Sequence, residues 1–516
     1  MLIGNIARAQ QPPAPRFKAQ AEHILLCVWD GMRPDFVTAE NTPNLHALAE
    51  RGTFFANNHA FYITTTEVNG TILATGVFPR RSGILANREY RPAINLVEPI
   101  ATENHRAVRI NDALTDGKHI AVPTVAELVQ KAGFSTALAG TKPIALLHDR
   151  GHDRTGRGPT LFAGRSYPPA FAKGLEAVMG KFPSSPTSVL EDLNDARPNT
   201  PQNAWTTRAL IEHLWRDTIP RYSVLWLGDP DFSQHLTAPG SPTALAGIHD
   251  SDTHLGLALA ALEQKGVLEK TDVFVVSDHG FSTIAKTVEL VPWFRKAGIR
   301  AVSSFKMTPR PGEVLINTTG GSTSIYIVDK DRALTEKVVA LLQTSPFAGP
   351  IFTRDGLPGT FKHADARFDT ADAPEIIFSF RWLPGENKHG TPGLIWAEGR
   401  RPGNGTHGTL SPFEVRNTLV AAGPDIRAGH RSQLPSGNID VAPTILALLG
   451  LEQDGGVDGR VLLEALNGVT FDPPPPRKHR AEARRSTGFG TWTQHLQTTT
   501  FAGKLYFDEG NAELLR

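Results

Sequence analysis

The chain has 516 residues, of which 40% are hydrophobic and 20% charged, enough for one large α/β domain with insertions or for two domains. Lysine and arginine number 53 against 52 aspartates and glutamates, so no global charge favours nucleic acid or an anionic membrane as a partner. No run approaches the ~20 apolar residues of a membrane-spanning helix. We therefore expect any phosphate binding to be local.

The amino-terminal segment carries mixed targeting signals. Ala7-Arg8-Ala9 has the small-x-small pattern of a signal cleavage site, but Leu2-Ile3-Gly4 is too short for the apolar region of a signal peptide. The stretch from Gln11 to Pro15 fits the linker that often follows an export signal, and equally a cytoplasmic tail. We interpret residues 1–20 as a leader remnant or flexible linker and expect periplasmic or extracellular export, with a cytoplasmic location as the alternative.

Strand and helix signals alternate from His23 onward. The apolar run from Ile24 to Trp29 predicts a buried strand, which makes the single cysteine, Cys27, a structural residue. Pro43 after Thr42 predicts one helix start, and the capping box that opens at Thr124 predicts another. This rhythm predicts an α/β fold over residues 21–470, with a mostly parallel central sheet flanked by helices.

Later apolar runs predict further strands of that sheet, each with polar residues close to one end. They are Thr136 to Ala139, Ser223 to Leu227, Val273 to Ser277 and Thr418 to Ala422. Ligands bind outside the carboxyl ends of the strands in open parallel sheets. The polar residues beside these strands are therefore candidate site residues.

A long stretch between Phe281 and Thr406 predicts a small cap inserted into the main fold within residues 285–400. It has strand signals at Thr323 to Val328 and Glu375 to Phe380, and a helix signal at Arg332 to Gln343. The prolines Pro473 to Pro476 mark a second boundary. Residues 471–516 are interpreted as a Pro-rich linker and carboxyl-terminal extension.

The carboxyl-terminal extension combines a basic run with a hairpin signal. The run from Arg477 to Arg480 is assigned to a solvated linker, because it lacks the interleaved aromatic residues of a nucleic-acid-binding arm. The segment from Thr491 to Phe507 predicts a hairpin.

Four local patterns place metal-binding or nucleophilic side chains near strand ends. They are Asp30, the threonine run with Thr66 followed by Asn69, the pair Asp231 and His235, and Asp278-His279 before Gly280. Taken singly, an aspartate after a strand is more often a turn residue, and a threonine run is more often strand or cap. The four-residue spacing of Asp231 and His235 is more informative, because one helical turn lets both side chains share an ion.

A late histidine adds a possible fifth ligand source. His407 lies in a glycine-rich approach to the last apolar strand, and His389 is the rival candidate. We prefer His407 because a strand follows it; a surface loop is the ordinary alternative for either residue.

The order of these residues resembles the ligand order of the alkaline phosphatase superfamily, and more narrowly of its nucleotide pyrophosphatase/phosphodiesterase branch. The resemblance covers most of the chain from Ile24 to Gly450 and is densest at the motifs above. Further segments look similar to that family: Asn41-Thr42-Pro43-Asn44-Leu45, Ala74-Thr75-Gly76, Ser82-Gly83-Ile84 and Asp440-Val441-Ala442-Pro443-Thr444. An alkaline phosphatase-like fold is therefore expected.

The resemblance implies two divalent metal ions, usually zinc. One ion is expected on Asp231, His235 and His407, and the other on Asp30, Thr66, Asp278 and His279. Because no cysteine is among these ligands, manganese and iron also fit chemically.

The resemblance also implies that Thr66 attacks phosphorus and forms a phosphothreonine, while Asn69 donates to a phosphoryl oxygen. The expected function is hydrolysis of a small phosphate ester, either a phosphodiester or a pyrophosphate, with no nucleic-acid polymer as partner. A phosphate monoesterase of the same superfamily is the alternative. A noncatalytic binding protein is disfavoured because every expected ligand type is present.

Two residues depart from the family pattern. Nucleotide-cleaving relatives generally have an aromatic residue after the nucleophile, whereas this chain has Glu67, which would either meet a cationic group such as choline or disfavour a second negative charge. Lys142 is similar to a phosphate-binding lysine of some monoesterases, but Ile144 replaces their arginine. We interpret Lys142 as a surface lysine and keep it, with Glu67, as a candidate substrate-binding residue.

Other branches of the superfamily are disfavoured by their nucleophiles. Sulfatases and some phosphonate monoester hydrolases need a Cys or Ser in a Cys-x-Pro-x-Arg-like setting, which the segment after Cys27 does not supply. The phosphoglycerate mutase branch uses serine, whereas Thr66 is the candidate here.

Overall fold

A computed structural model describes residues 19–151, 158–185 and 197–515 of the chain. Most of the expected leader or linker at residues 1–20 lies outside the described residues. Within the described ranges, no helix is both long enough and apolar enough to cross a membrane.

A nine-stranded sheet forms the centre of the main fold. In spatial order its strands are His430–Ser432, Thr53–Phe55, Leu419–Ala422, Thr271–Val276, His23–Trp29, Tyr222–Leu227, Thr136–Gly140, Thr160–Phe162 and Arg165–Tyr167. The strand His23–Trp29 runs parallel to both of its neighbours, while Leu419–Ala422 and Arg165–Tyr167 run antiparallel to theirs. The expected α/β fold with a mostly parallel central sheet is confirmed.

Both faces of the sheet are buried, which explains why its strands are apolar without alternation. Along the first strand, Leu26 and Val28 face one hydrophobic cluster, and Leu25 and Cys27 face the other.

Helices cover both faces of the central sheet, and further helices lie in the later part of the chain. The α-helices are Pro43–Glu50, Thr66–Thr75, Pro79–Ser82, His105–Thr115, Val125–Lys131, Ala145–His148, Pro169–Met179, Thr200–Arg208, Asp231–Leu236, Pro242–Gln264, Leu290–Lys296, Arg332–Leu342, Pro412–Val415 and Val441–Leu449, with a π-helical turn at Ala209–Leu214.

Two further sheets follow the strand Thr271–Val276 in the chain. A six-stranded sheet has the order Arg300–Val302, Glu313–Thr319, Ser322–Ile327, Ile376–Phe380, Ala348–Thr353 and Phe361–Lys362. A four-stranded sheet has the order Trp382–Glu386, Pro392–Glu398, Ser282–Val288 and Gly405–Thr406. The six-stranded sheet has its own hydrophobic core, so residues 300–380 form a layer distinct from the central sheet.

The carboxyl-terminal residues form a three-stranded antiparallel sheet: Arg477–Thr487, Gly490–Phe501 and Lys504–Leu515. The assignment of the basic run to a linker is therefore wrong, because that run begins the first strand. Ala481 and Ala483 alternate with charged residues and pack on a hydrophobic cluster, while the basic side chains stay exposed. The predicted hairpin is part of this larger sheet. Short pairs at Asn58–His59 with Ser436–Gly437 and at Arg88–Glu89 with Ile100–Ala101 complete the strands.

Candidate active site

The carboxyl ends of four adjacent parallel strands meet at one edge of the central sheet. Val28 pairs with Val276, so Asp30 and Asp278 leave the sheet at the same level. Trp29 pairs with Leu227, which places the loop to Asp231 beside them. The sheet register therefore brings together carboxylates that are far apart in the sequence.

Asp30, Asp278 and His279 form one fully buried group. Nε2 of His279 lies 3.2 Å from Oδ2 of Asp278 and 3.6 Å from Oδ1 of Asp30. The backbone N–H of Gly31 donates to Oδ1 of Asp278 at 3.0 Å and fixes that carboxylate. Trp226 Nε1 likewise donates to Oδ2 of Asp30 at 2.9 Å. Each carboxylate thus has one oxygen held by the protein and the other directed at the group.

Asp231, His235 and His407 form a second group. The helix Asp231–Leu236 places His235 one turn after Asp231, with its Nε2 3.2 Å from Oδ1 of Asp231. Nε2 of His407 lies at the same distance, 3.2 Å, from that oxygen. The rings of His279 and His407 stack with their centroids 3.6 Å apart, so the two groups adjoin.

His407 follows the short strand Gly405–Thr406, and the central-sheet strand that comes after it, Leu419–Ala422, runs against its neighbours. Because Leu419–Ala422 is antiparallel to Thr271–Val276, its amino end, and not its carboxyl end, lies at the site edge. Gly280 allows the return of the chain there: its N–H donates to Glu414 O at 2.7 Å, and a Cβ would lie 2.2 Å from Phe413 O. The glycine is required for this close backbone approach.

The histidines are oriented for Nε2 ligation. Nδ1 of His279 lies 2.9 Å from Gly280 O, and Nδ1 of His407 lies 2.8 Å from Thr64 O. An Nδ1–H that donates to a backbone carbonyl leaves Nε2 as a lone-pair donor. Burial, followed by the repulsion from His279, lowers the pKa of His407 well below its usual value, so its imidazole is neutral at pH 7.

His235 has two competing neighbours at Nδ1. Gly405 O lies 3.0 Å away and Nη1 of Arg400 lies 2.7 Å away. Nδ1 either donates to the carbonyl or accepts from the guanidinium, and only the first state leaves Nε2 without a proton. Burial lowers the pKa of His235, although Asp231 opposes the change.

The buried oxygens of both groups fit a metal site. Oδ1 of Asp30, Oδ1 of Asp231 and Oδ2 of Asp278 are buried and make no hydrogen bond to the described residues. A buried carboxylate oxygen without a donor is unfavourable unless a cation satisfies it. The ligand atoms of Asp231, His279 and His407 lie within 4.8 Å of one another, and so do those of Asp30, Asp278 and His279. Oxygen and imidazole nitrogen donors in such sets suit a divalent transition metal.

Lys142 lies inside the site, so its interpretation as a surface lysine is wrong. Its Nζ is 2.9 Å from Oδ2 of Asp30 and 2.9 Å from Oδ2 of Asp231. The reason is positional: Lys142 follows the strand Thr136–Gly140, which is parallel to Tyr222–Leu227, and so reaches the same edge. Burial disfavours the ammonium, but Asp231 and Asp30 outweigh burial and raise the pKa of Lys142 well above its usual value.

Thr66 is the first residue of the helix Thr66–Thr75, and its Oγ1 lies 3.3 Å from Nε2 of His279. Gly70 lets this helix pack closely on the sheet, because a Cβ there would lie 2.7 Å from Ile144 and 3.0 Å from Trp226. The helix amino terminus, which favours negative charge, therefore faces the two Asp/His groups.

Asn69 is occupied by the loop before this helix. Its Oδ1 accepts from Phe61 N at 2.7 Å, and its Nδ2 donates to Phe61 O at 2.9 Å and to Ile63 O at 3.1 Å. Both N–H bonds are used within the fold. The structure therefore does not support the expected role of Asn69 as a phosphoryl donor.

Asn87 and Glu103 reach the site without having been recognised in the sequence. Oδ1 of Asn87 accepts from the backbone N–H of Glu67 at 3.3 Å, next to Thr66. Its Nδ2 has no hydrogen-bond partner among the residues that the structure describes. Both residues lie in loops without a helical or strand period, so no sequence signal marks them.

Glu67 is 5% exposed, and the carboxyl of Glu103 acts on it electrostatically. Burial, the charge of Glu103 and the hydrogen bond between the two carboxyls raise the pKa of Glu67 well above its usual value. Burial also raises the pKa of Glu103. A carboxyl group whose pKa is raised by burial and by a neighbouring carboxylate therefore adjoins the candidate nucleophile.

Comparison with known proteins gives a family match for most of the chain. The family model described as type I phosphodiesterase / nucleotide pyrophosphatase matches residues 24–409. Ectonucleotide pyrophosphatase/phosphodiesterase family member 3 of Rattus norvegicus is 22% identical over 502 residues, which are 94% of this chain and 48% of the relative. Family member 5 of Homo sapiens is 22% identical over 51% of this chain and 45% of its own length. The chain thus spans about half the length of these curated relatives.

Solved structures show the same fold. Murine ectonucleotide pyrophosphatase / phosphodiesterase 5 has a TM-score of 0.60 and 17% identity, over 86% of this chain and 100% of that one. An inactive threonine-to-alanine variant of it in complex with AMP has a TM-score of 0.58 over 83% and 95%. Because the family model spans most of the chain, this protein belongs to the type I phosphodiesterase / nucleotide pyrophosphatase family.

Proposed function

We propose that this chain hydrolyses phosphate esters, specifically phosphodiesters or pyrophosphates, with Thr66 as the nucleophile. The observation that carries the proposal is the position of Thr66 Oγ1, at a helix amino terminus and 3.3 Å from Nε2 of His279. The relatives named as phosphodiesterases support the reaction class, and the inactive threonine variant of a structural neighbour supports a threonine in this role.

We propose two metal positions at the Asp/His groups, with zinc as the expected ion. Asp231, His235 and His407 would hold one ion, and Asp30, Thr66, Asp278 and His279 the other. The buried carboxylate oxygens without hydrogen bonds support this assignment. Bound divalent ions would supply the charge that favours a deprotonated hydroxyl and stabilises the leaving oxygen.

In the proposed reaction, Thr66 Oγ1 forms a bond to phosphorus as the bond to the leaving oxygen breaks. The product is a phosphothreonine, which water then hydrolyses to regenerate Thr66 and release phosphate or its monoester. The helix amino terminus stabilises charge on the phosphoryl oxygens. We assign Asn87 Nδ2, and not Asn69, as the side-chain donor to a phosphoryl oxygen, because it adjoins Thr66 and is free among the described residues. Lys142, whose Nζ lies beside Asp231 in the site, would supply a cationic contact to the substrate phosphoryl group.

The carboxyl pair of Glu67 and Glu103 supports a preference for diesters over monoesters. A monoester carries a second negative charge, and the charge of Glu103 that raises the pKa of Glu67 also disfavours such a substrate. The sequence allowed a second role, contact with a cationic substrate group, and the pair is compatible with that role too. Replacement Glu67→Phe should lower the diester-to-monoester ratio of kcat/KM; an unchanged ratio would count against this assignment.

The decisive experiment uses p-nitrophenyl diesters and monoesters with metal-stripped, zinc-reloaded protein. We expect diester hydrolysis, loss of at least about a thousandfold in kcat for Thr66→Ala, and partial activity for the control Thr66→Ser. In peptide mass spectra of acid-quenched protein, Thr66 should carry the phosphoryl group with the remaining ester group of the diester, and phosphate alone when a monoester is the substrate. Full activity of Thr66→Ala would refute the role of Thr66 as nucleophile. A preference for monoesters would favour the monoesterase alternative. Inactivity of the zinc-reloaded protein toward both diesters and monoesters would favour a noncatalytic binding protein.

We also propose that the protein is exported. The names of its relatives contain the terms ectonucleotide pyrophosphatase and venom phosphodiesterase, which fits such a location for those proteins. Fractionation of the native host with an antibody would test this, and recovery with a cytoplasmic marker would refute it.

A further inference from the structure

A large cleft lies apart from the Thr66 site, between the main fold and the carboxyl-terminal sheet. It has a volume of about 2560 Å³ and is lined by residues of the turn Pro79–Ser82, of the segment 360–367 and of the three-stranded carboxyl-terminal sheet. Small-molecule sites usually measure about 300 to 1,000 Å³. The volume of this cleft therefore suits an extended ligand.

The cleft is strongly basic. Its lining includes six cations that make no ion pair within the part of the chain that the structure describes, and we call this set the basic cleft: Arg80, Lys362, Arg367, Arg477, Lys478 and Lys504. The lining has three acidic residues. Asp458 pairs with Arg81 at 3.1 Å, Glu482 pairs with Arg484 at 2.7 Å, and Oδ2 of Asp365 accepts from the backbone N–H of Lys362 at 2.9 Å. The cations of the cleft thus outnumber its acidic residues, and a net positive charge remains.

These cations come from separate segments and crowd one another. Arg80 N donates to Arg367 O at 2.9 Å, which joins the main-fold turn to the segment 360–367. Nε of Arg367 is buried and has no hydrogen-bond partner among the described residues. Burial, followed by repulsion from Arg80, lowers the pKa of Arg367. Arg477 and Lys478 reach the cleft from the carboxyl-terminal sheet. An anion between these segments would relieve the repulsion.

The shape and lining narrow the ligand class. A bilayer is flat, whereas the cleft is concave with walls from three segments. Nucleic-acid sites that bind single strands stack bases on exposed aromatic rings. The aromatic residues here are buried: Phe78 and Phe361 are each 6% exposed, and Phe501 is 2% exposed. The lining therefore fits a flexible polyanion that has closely spaced negative charges and no bases.

We propose that the basic cleft binds a linear chain of phosphates, of which inorganic polyphosphate is the simplest member. Arginine and lysine bind phosphate oxygens through charge-assisted hydrogen bonds. We choose phosphate over sulfate because the chain belongs to a phosphodiesterase family. The inference does not depend on which substrate Thr66 attacks.

Binding of fluorescently labelled inorganic polyphosphate to the full chain tests this proposal. The Thr66→Ala background prevents cleavage of the probe. We expect the affinity to fall steeply as salt increases, because bound cations release counterions from the polyanion. The pairs Arg477→Glu with Lys478→Glu, and Arg80→Glu with Lys362→Glu, should each raise Kd by about tenfold or more at moderate salt.

The matched control is the pair Lys265→Glu with Lys337→Glu. Both lysines are exposed and outside the cleft lining, Lys337 on a helix and Lys265 just after the end of another, and their reversal makes the same change in net charge. We expect the control pair to change Kd by no more than about twofold, apart from the effect that the change in net charge has on any polyanion. In the Thr66-containing chain, all four cleft substitutions should leave the hydrolysis of a small diester unchanged, which separates this proposal from the proposed function.

Three results would overturn the proposal. They are absence of binding at low salt, equal effects of the cleft and control pairs on Kd, and tighter binding of a sulfated glycan, single-stranded DNA or anionic vesicles than of polyphosphate.

Discussion

Nζ of Lys142 lies 2.9 Å from Oδ2 of Asp231, so an ammonium group contacts a carboxylate that we assign to metal binding. The same nitrogen lies 2.9 Å from Oδ2 of Asp30, which we assign to the other ion. One cation therefore neutralises both halves of the site, and its charge would compete with that of a divalent ion bound to the other oxygens of the same carboxylates.

Removal of the Lys142 charge should strengthen metal binding. At a separation of a few ångströms, a unit charge interacts with a site by several kcal/mol even at an effective dielectric constant of about 20. We expect Lys142→Met to lower the metal Kd by about tenfold, as measured by chelator competition, while kcat/KM for a diester falls. The control Lys142→Arg keeps the charge and should keep the weaker metal affinity. Equal affinities for the two variants would contradict the competition.

Metal removal should destabilise the fold as well as abolish activity. Without ions, the buried carboxylates of Asp30, Asp231 and Asp278 repel one another, with Lys142 as their close cationic partner. An ion present at a hundredfold over its Kd adds about 2.7 kcal/mol of stability. Denaturant titrations with and without a chelator measure the difference. In the variant Asp278→Asn we expect a smaller chelator effect, and an equal effect would argue that the ions lie elsewhere.

Two asparagines near Thr66 should respond in opposite ways. Asn69→Ala removes the partners of Phe61 N and O inside the fold, so it should lower the free energy of unfolding by about 2 to 4 kcal/mol. Asn87→Ala should leave stability nearly unchanged and lower kcat by about a hundredfold, because it removes a donor to the reacting phosphoryl group. Stability measurements beside steady-state kinetics distinguish the two. A stable, inactive Asn69→Ala protein would restore the sequence-based assignment.

Gly70 tests how closely the Thr66 helix must pack. Gly70→Ala places a Cβ about 3 Å from Ile144 and Trp226, so the helix must shift away from the sheet. We expect a loss of about 1 to 3 kcal/mol in stability and at least about tenfold in kcat. Gly174→Ala is the control, because no atom lies within 4 Å of its Cβ and a helical alanine is favoured by about 1 kcal/mol. Unchanged kcat in Gly70→Ala would show that the position of Thr66 tolerates the shift.

The buried carboxyl group of Asp272, which lies away from the site, should make the stability of the fold depend on pH. It lies at the opposite end of the strand that leads to Asp278, and burial, then Asp425, raises its pKa to about 8. The folded state holds the proton up to about pH 8, whereas the unfolded state releases it near pH 4. The contribution of Asp272 to stability is therefore greatest below about pH 4 and is lost as the pH rises toward 8.

The variant Asp272→Asn should remove this dependence. Between pH 5 and pH 8 the wild-type chain should lose up to about 4 kcal/mol relative to the variant, at 1.36 kcal/mol for each pH unit. Denaturant titrations of both proteins in the same metal-containing buffer isolate this difference. Parallel pH profiles would show that Asp272 is ionised in the folded state.

The sequence alone determined the ligand types and the local geometry that supports them. The apolar run before Asp30 has one outcome, a buried strand, and the spacing of Asp231 and His235 places both on one helical turn. The capping box at Thr124 formed as predicted. Such features depend on residues close together in the chain, so local propensity and hydrophobic pattern are enough to specify them.

Tertiary structure alone decided which side chains meet. Asn69 lies close to Thr66 in sequence, yet its amide is used by the loop, while Asn87 and Glu103 reach Glu67 from distant loops. Lys142 enters the site because sheet order places its strand beside the one that leads to Asp231. Strand order and loop packing arise from long-range burial, which leaves no periodic signal in the residues concerned. For that reason the sequence determined the candidate ligands of the site, and only the fold decided the groups that surround them.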